Sequence, residues 1–404
     1  MNNRSVYIFT NGCPENRLDC AYVEEQMHAQ GWELASNAQA ADLILFNACG
    51  LTNEAERYSM SIIKELALLK KKDAKIYVWG CLPKINSSLI ERKYLPDQSD
   101  LLPNVKELLQ ETEVCTRVTA NRYSDRINDR SDLYKDDPYK NIMAKMEYLV
   151  EFMLEFTTFS KVIKKILDMK RGNRDTGVYT KGVFPIKVSS GCMSSCSFCA
   201  VKLSRKHLQS KPIDKVINEF ENGLRQGYKK IFLIGTDVGA YGRDEGHTLV
   251  DLLREMIRRE GDYEIMLRNL HPKYLIEMLP GLLDVLKSGK ITTLCSAIEA
   301  GSDSVLARMR RSHGVKEYVD AILLLKERYP HLKVRSQIMV GFPGETDADF
   351  KATEALIERM PFDFVEIYKF QPRAGTDART YEQLPAGLIN ARYSRLLWKS
   401  LFKK

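Results

Sequence analysis

The chain has 404 residues, 44% of them hydrophobic and 28% charged, which supports about two or three domains with ample cores and excludes a disordered polypeptide. The formal charge of +8 is mild for this length: it fits weak attraction to an anionic partner such as RNA without demanding one, and a solvated basic surface is the expected reading. No run approaches the ~20 apolar residues of a membrane span and no apolar signal segment follows Met1, so no membrane partner and a cytoplasmic location are expected. Nine cysteines, an odd number, are poorly explained by disulfides in such a compartment.

Residues 1–115 alternate strand and helix. SVYIFTN (Ser5–Asn11), ADLILFN (Ala41–Asn47) and KIYVWG (Lys75–Gly80) read as strands with helical patterns between them, which predicts parallel βαβ units, doubly wound. A cysteine follows each strand: Cys13, Cys49 and Cys81. Parallel strands end at one edge of their sheet, so these three thiols are expected to converge in the crevice where α/β sheets bind ligands.

Residues 116–180 read as a polar linker, DRINDRSDLYKDDPYKN, followed by a long amphipathic helix over Asn141–Lys170. Its interspersed charges argue against a membrane span; a helix packed against a neighbouring domain is the expected reading, with a lid or partner-binding helix the alternative.

Over residues 181–380 the alternation resumes. FPIKVSS, KKIFLIG, YEIMLRN, ITTLCSAI, KVRSQIMV and FDFVEIYKF read as six strands with helices between them. Six βα units fall short of the eight in a closed barrel, so the expectation is a partial, open (β/α)6 barrel. Residues 381–404 read as a short basic amphipathic tail.

SSGCMSSCSFCAV places Cys192, Cys196 and Cys199 just past the first barrel strand, at the face where barrels carry their chemistry. Thiolates bind zinc and iron–sulfur clusters. A structural zinc needs a fourth ligand, and His207 is the nearby candidate. An iron–sulfur cube held by three cysteines leaves one iron open, which is useful when a small molecule must bind that iron.

Cys-x3-Cys-x2-Cys with Phe198 before the last cysteine resembles the radical S-adenosylmethionine (SAM) superfamily. There SAM chelates the open iron and is cleaved to a radical that removes a hydrogen atom from substrate. GCPENRLD (Gly12–Asp19), LFNACGLTNEAE (Leu45–Glu56), VWGCLP (Val78–Pro83), IEAGSDSVLARMRRSH (Ile298–His313), IMVGFPGETDADF (Ile338–Phe350) and FQPRAGTDA (Phe370–Ala378) are similar to the radical SAM methylthiotransferases. That resemblance implies two 4Fe–4S clusters, one on Cys192, Cys196 and Cys199 and an auxiliary one on Cys13, Cys49 and Cys81, with SAM and a one-electron reductant such as a flavodoxin or ferredoxin. It implies SAM contacts at Phe198, Asp237, Arg268, Ser296, Glu299, Arg311, Met339 and Gly341; Arg268 is placed to pair with the SAM carboxylate. Thr236 and Glu299 stand where the family usually has Gln.

The implied reaction inserts a methylthio group at an unactivated C–H bond. The chain stops at LLWKSLFKK, near where the family's C-terminal TRAM domain would begin. The expected acceptor is therefore a peptide, protein side chain or small metabolite, with tRNA adenosine as the alternative. Another radical SAM enzyme with an auxiliary cluster, whether cobalamin-dependent or sulfur-inserting, is a further reading, but no Asp-x-His-x-x-Gly cobalamin motif is present. A non-catalytic metal scaffold sits badly with two sets of only three cysteines.

Overall fold

A computed structural model describes residues 4–90 and 182–402. The linker, the Asn141–Lys170 helix and Cys115 lie outside them.

In the N-terminal lobe, strand β1 (Ser5–Thr10) leads into helix α1 (Pro14–Ala29), and a two-residue strand β2 (Glu33–Leu34) follows. Strand β3 (Leu43–Ala48) precedes helix α2 (Asn53–Leu69); strand β4 (Lys75–Gly80) runs directly into helix α3 (Cys81–Asn86). All pairings are parallel, in the order β2-β1-β3-β4. β3 is buried at every position, as a parallel strand covered on both faces must be, which is why LILFNA reads as an unbroken apolar run. Pro14 opens α1, where its missing N–H costs nothing, and the Thr52 hydroxyl accepts from Ala55 N to cap α2.

The second lobe begins with β5 (Val183–Lys187). FPIKVSS is two elements rather than one: β6 (Ser189–Ser190) turns off to pair antiparallel with β7 (Gln209–Ser210). Then come β8 (Lys230–Ile234), β9 (Glu264–Leu267), β10 (Ile291–Cys295), β11 (Lys333–Val340) and β12 (Phe364–Lys369). The six main strands are parallel in sequential order, β5-β8-β9-β10-β11-β12, and the two end strands do not pair. This is the expected α/β chain with an open six-stranded half-barrel.

The residues after 381 are not a loose tail. Ala386–Phe402 is a helix with Leu396 fully buried, and its Arg392 pairs with the buried Glu345 at 2.8 Å.

The two lobes dock through α1. Leu18 packs into the barrel interior against Val183, Phe232, Ile234 and Met266. Around it, buried charges cross the junction: Lys187 meets Asp19 at 2.5 Å, and Arg205 meets Glu15 at 2.9 Å and Asp19 at 2.8 Å. A second bridge is Arg373, beyond β12, which pairs with Glu56 and donates to the carbonyl of Gly50 at 2.6 Å.

Candidate active site

Cys13 ends the turn after β1, Cys49 directly follows β3 and Cys81 directly follows β4. Asparagines hold this edge. Asn16 donates to Asn47 Oδ1 at 3.0 Å, accepts from the Cys13 thiol at 3.7 Å and reaches Cys81 Sγ at 4.0 Å. Asn11 Oδ1 accepts from Cys49 N at 2.9 Å. The three sulfurs are close enough to act on one another: burial pushes Cys49 up to about 12, and Cys81 and Cys13 add to the shift. The triad faces the barrel lobe, with Ser204 Oγ 3.6 Å from Cys81 Sγ.

In the barrel loop, Cys192 Sγ accepts from Ser194 N at 3.3 Å and donates to Asp237 at 3.7 Å. Ser197 ties the loop across the barrel, its N–H donating to Met309 O at 3.0 Å and its hydroxyl to Arg308 O at 2.9 Å. Gly191 has φ +80°, and a Cβ there would stand 1.8 Å from His207 O, so only glycine lets the loop turn. Burial raises Cys192, Cys196 and Cys199. His207 itself is exposed and is no fourth ligand, and among the described residues no group of three or more Cys, His, Asp or Glu could hold a single metal ion. Four thiolates on one zinc stand about 4 Å apart, given Zn–S bonds of ~2.3 Å. Ligands of a multi-iron cube stand further apart, because the irons intervene.

The donor sets fit such a cluster. Each is three thiols, and each has a guanidinium beside it to balance an anionic group: Arg205 by Cys13 and Cys81, Arg373 by Cys49, and Arg311 by Cys196 and Cys199. The buried thiols hold their protons more firmly than free cysteine does, so metal loading would release protons.

The structure gathers the proposed SAM residues unevenly. Arg311 and Glu299 form a buried ion pair with each other, and the Arg311 guanidinium lies 5.6 Å from the Phe198 ring centroid. Glu299 is held at φ +74°, a left-handed conformation unusual for a long side chain. Asp237, pushed by burial to about 6, accepts from Gly239 N and His271 N. The Ser296 hydroxyl is buried without a partner, while its carbonyl accepts from Tyr318 and Ser336. Met339 N donates to Glu299 O at 2.8 Å. Gly341 has a packing reason of its own, since a Cβ would strike Ile389 at 2.6 Å. Arg268 lies near Cys295, next to Ser296, and near Tyr368.

Sequence reasoning missed the charges that join the lobes. Thr236, singled out only for replacing Gln, donates to Glu15 at 3.1 Å and accepts from Gly191 N at 3.1 Å, linking α1 to the cysteine loop. Charged residues inside apolar strand runs, such as Lys187 in FPIKVSS, were the available signal.

An α/β lobe docked on an open six-stranded barrel, with a three-cysteine loop after the first barrel strand, defines a radical SAM enzyme. The radical SAM superfamily matches residues 186–357, and a family described as uncharacterized protein family UPF0004 matches residues 5–99. A probable threonylcarbamoyladenosine tRNA methylthiotransferase of Pyrococcus abyssi is 29% identical over 97% of this chain and 82% of its own. The human threonylcarbamoyladenosine tRNA methylthiotransferase is 30% identical over 96% of this chain and 61% of its own. The Thermotoga maritima protein of that name, MtaB, is 28% identical over 94% and 77%. The chain therefore carries an N-terminal domain of the UPF0004 family followed by a radical SAM domain and is homologous to radical SAM methylthiotransferases, which use SAM and 4Fe–4S clusters. Among solved structures, the radical SAM methyltransferase TsrM of Kitasatospora setae has a TM-score of 0.58 at 12% identity, covering 93% of this chain and 77% of that one, a likeness of fold alone. No helix among the described residues is long and apolar enough to cross a membrane.

Proposed function

We propose that this enzyme attaches a methylthio group to threonylcarbamoyladenosine in tRNA, the acceptor named for its relatives, rather than to the peptide, protein or metabolite acceptor preferred from the sequence. The observation that carries the reading is the docking of the Cys13, Cys49 and Cys81 edge against the barrel's cysteine loop. That docking supports two cluster sites serving one cavity.

Cys192, Cys196 and Cys199 hold the barrel cluster, and Cys13, Cys49 and Cys81 hold the auxiliary one. When bound, SAM and the clusters supply the hydrogen-abstracting radical and the sulfur that acid–base groups cannot. The chain's own residues bind and orient. Phe198, Asp237, Ser296, Glu299, Arg311 and Met339 line the SAM side of the cavity, Gly341 lets the flanking helix approach it, and the Glu299–Arg311 pair fixes the guanidinium beside the barrel thiols. Leu18 and the charges around it seal the junction against water. A one-electron reductant such as flavodoxin or ferredoxin completes the system, in the cytoplasm where tRNA resides.

The test is a host lacking its own threonylcarbamoyladenosine methylthiotransferase. Wild-type protein restores the methylthiolated nucleoside in digested tRNA, as read by mass spectrometry. The triple variant C13A/C49A/C81A restores none, and holds about half the wild-type iron after anaerobic reconstitution, one of two clusters being lost. Unchanged tRNA from the complemented host sinks the acceptor assignment. Full iron in the triple variant sinks the auxiliary site.

A further inference from the structure

The barrel wall across β9 to β12 carries an arrangement that the cluster and SAM sites do not use. Strand residues alternate in direction, so one set faces the helices and the other the lumen. Leu267, Leu294, Val334, Ile338, Val340 and Val365 pack into the core between strands and helices. The alternate positions include Met266 and Met339 and a polar group: Arg268 just past β9, Arg335 and Gln337 on β11, and Glu366 and Tyr368 on β12. Register places Gln337 opposite Glu366. Glu366, 6% exposed, accepts from Gln337 at 2.8 Å, from Arg335 at 3.3 Å and from the Tyr368 hydroxyl. The wall's carboxylate is therefore engaged three times over.

Arg268 is left out of that network. Its Nη1 is buried with no hydrogen-bond partner, and no ion pair to its guanidinium is found among the described residues. Arg268 itself is half-buried, and its unmet Nη1 is a cationic donor that an anion entering the lumen would satisfy. The SAM carboxylate is one anion to consider. Carboxyl chelation of the open iron would hold that group beside Cys192, Cys196 and Cys199, and the guanidinium acting on Cys196 and Cys199 is Arg311. The groups on which Arg268 acts are Cys295, at the end of β10, and Tyr368 on β12. The strand bearing Glu366 and Tyr368 also leads directly to Arg373, which reaches Gly50 beside the auxiliary triad.

We propose that Arg268 receives the carboxylate of the acceptor's threonylcarbamoyl group, with the Arg335–Glu366–Gln337–Tyr368 network offering polar partners to its amide and hydroxyl. The acceptor class is an adenosine bearing an anionic N6 substituent, and Arg268 is the residue that distinguishes it from plain adenosine. This inference rests on the acceptor reading above.

The test uses the holoenzyme, both clusters loaded, under anaerobic conditions. Binding of tRNA carrying threonylcarbamoyladenosine is compared with binding of the same tRNA lacking that group. Wild type prefers the modified tRNA. R268Q loses about tenfold or more of that preference, the weight of a charge-assisted hydrogen bond, while its affinity for SAM and for unmodified tRNA stays at the wild-type level. R268K recovers part of the preference, a point charge replacing the planar fork. A second measurement needs no variant: free threonylcarbamoyladenosine competes with tRNA on wild type about tenfold better than its methyl ester does. Preference retained by R268Q, weakened SAM binding in R268Q, or equal competition by acid and ester each overturns the assignment of Arg268. A wild-type enzyme that neither prefers nor methylthiolates the modified tRNA overturns the acceptor reading, and the inference with it.

Discussion

Arg205 joins the two lobes at the level of single atoms. Its guanidinium donates to Glu15 at 2.9 Å, Asn16 at 2.8 Å, Asp19 at 2.8 Å and Ser190 at 3.0 Å, all in partly buried surroundings. Burial works against its charge, and Glu15 and Asp19 outweigh that cost. Asp19 in turn is held below the usual carboxylate range, burial notwithstanding, by Lys187 and Arg205. A buried charge network adds little when intact, but removing one member strands the others. Arg205→Met is therefore expected to cost about 3–5 kcal/mol, read as a lower urea midpoint at constant slope. Arg205→Lys, which keeps the charge without the fork, falls between. A Met variant as stable as wild type would show that the carboxylates find water instead. None of the pairings that cross between lobes was legible in the sequence, because those partners lie 168 to 190 residues apart and no local periodicity couples them. Lys187 was visible only as a charge in an apolar strand.

At the scale of elements the sequence was far more informative. The six barrel strands are short apolar runs, mostly rich in β-branched or aromatic residues, and the pairing in sequential order follows from right-handed βαβ connection. The convergence of Cys13, Cys49 and Cys81 was equally legible, because parallel strands must end at one edge. Two-residue strands such as β2 and β6 carry no periodic signal and were lost. The self-pairing of Glu299 with Arg311 was lost too, since motif spacing says nothing of which side chain turns to which. Capping is a further device at this scale. Thr346 and Asp349 form a reciprocal box at the start of the helix Asp347–Arg359. Asp349 also accepts from Ser302 at 2.5 Å and Ser304 at 2.6 Å. Burial tends to raise its pKa, but those bonds and the Thr346 contacts outweigh it and hold the carboxyl well below its ordinary range. A depressed folded pKa gives stability that is complete above the unfolded value, about 3.9, and fades as pH falls through the folded one. Asp349→Ala should thus cost about 1–2 kcal/mol at neutral pH, the range of a lost cap. The gap between variant and wild type should narrow in unfolding curves taken below about pH 4. A gap independent of pH would assign the loss to helix packing rather than to the charge.

The molecule as a whole depends on a half-barrel that cannot fill its own interior. Six strands leave the lumen open, and the N-terminal lobe supplies the missing plug through Leu18, 2% exposed, among Val183, Phe232, Ile234 and Met266. The same docking brings the auxiliary cysteine edge against the barrel's cysteine loop, so one helix performs a packing task and a positioning task. Leu18→Ala separates them. The deleted methyl groups leave a cavity that neighbouring strands cannot close, with an expected cost of about 2–5 kcal/mol. The thiols and their asparagine scaffold are untouched, so iron content after reconstitution should equal that of wild type. The loosened junction admits water and lets the lobes shift, and reactions that depend on placement fall steeply with small displacements. On the proposed acceptor, the share of cleaved SAM that ends as methylthiolated tRNA should therefore drop, with deoxyadenosine still formed. Parallel quantification of deoxyadenosine and methylthiolated nucleoside reads this ratio directly. A Leu18→Ala enzyme that is destabilised yet keeps the wild-type ratio would mean that the flanking ion pairs alone hold the two cysteine sets in register, and that the plug serves folding only.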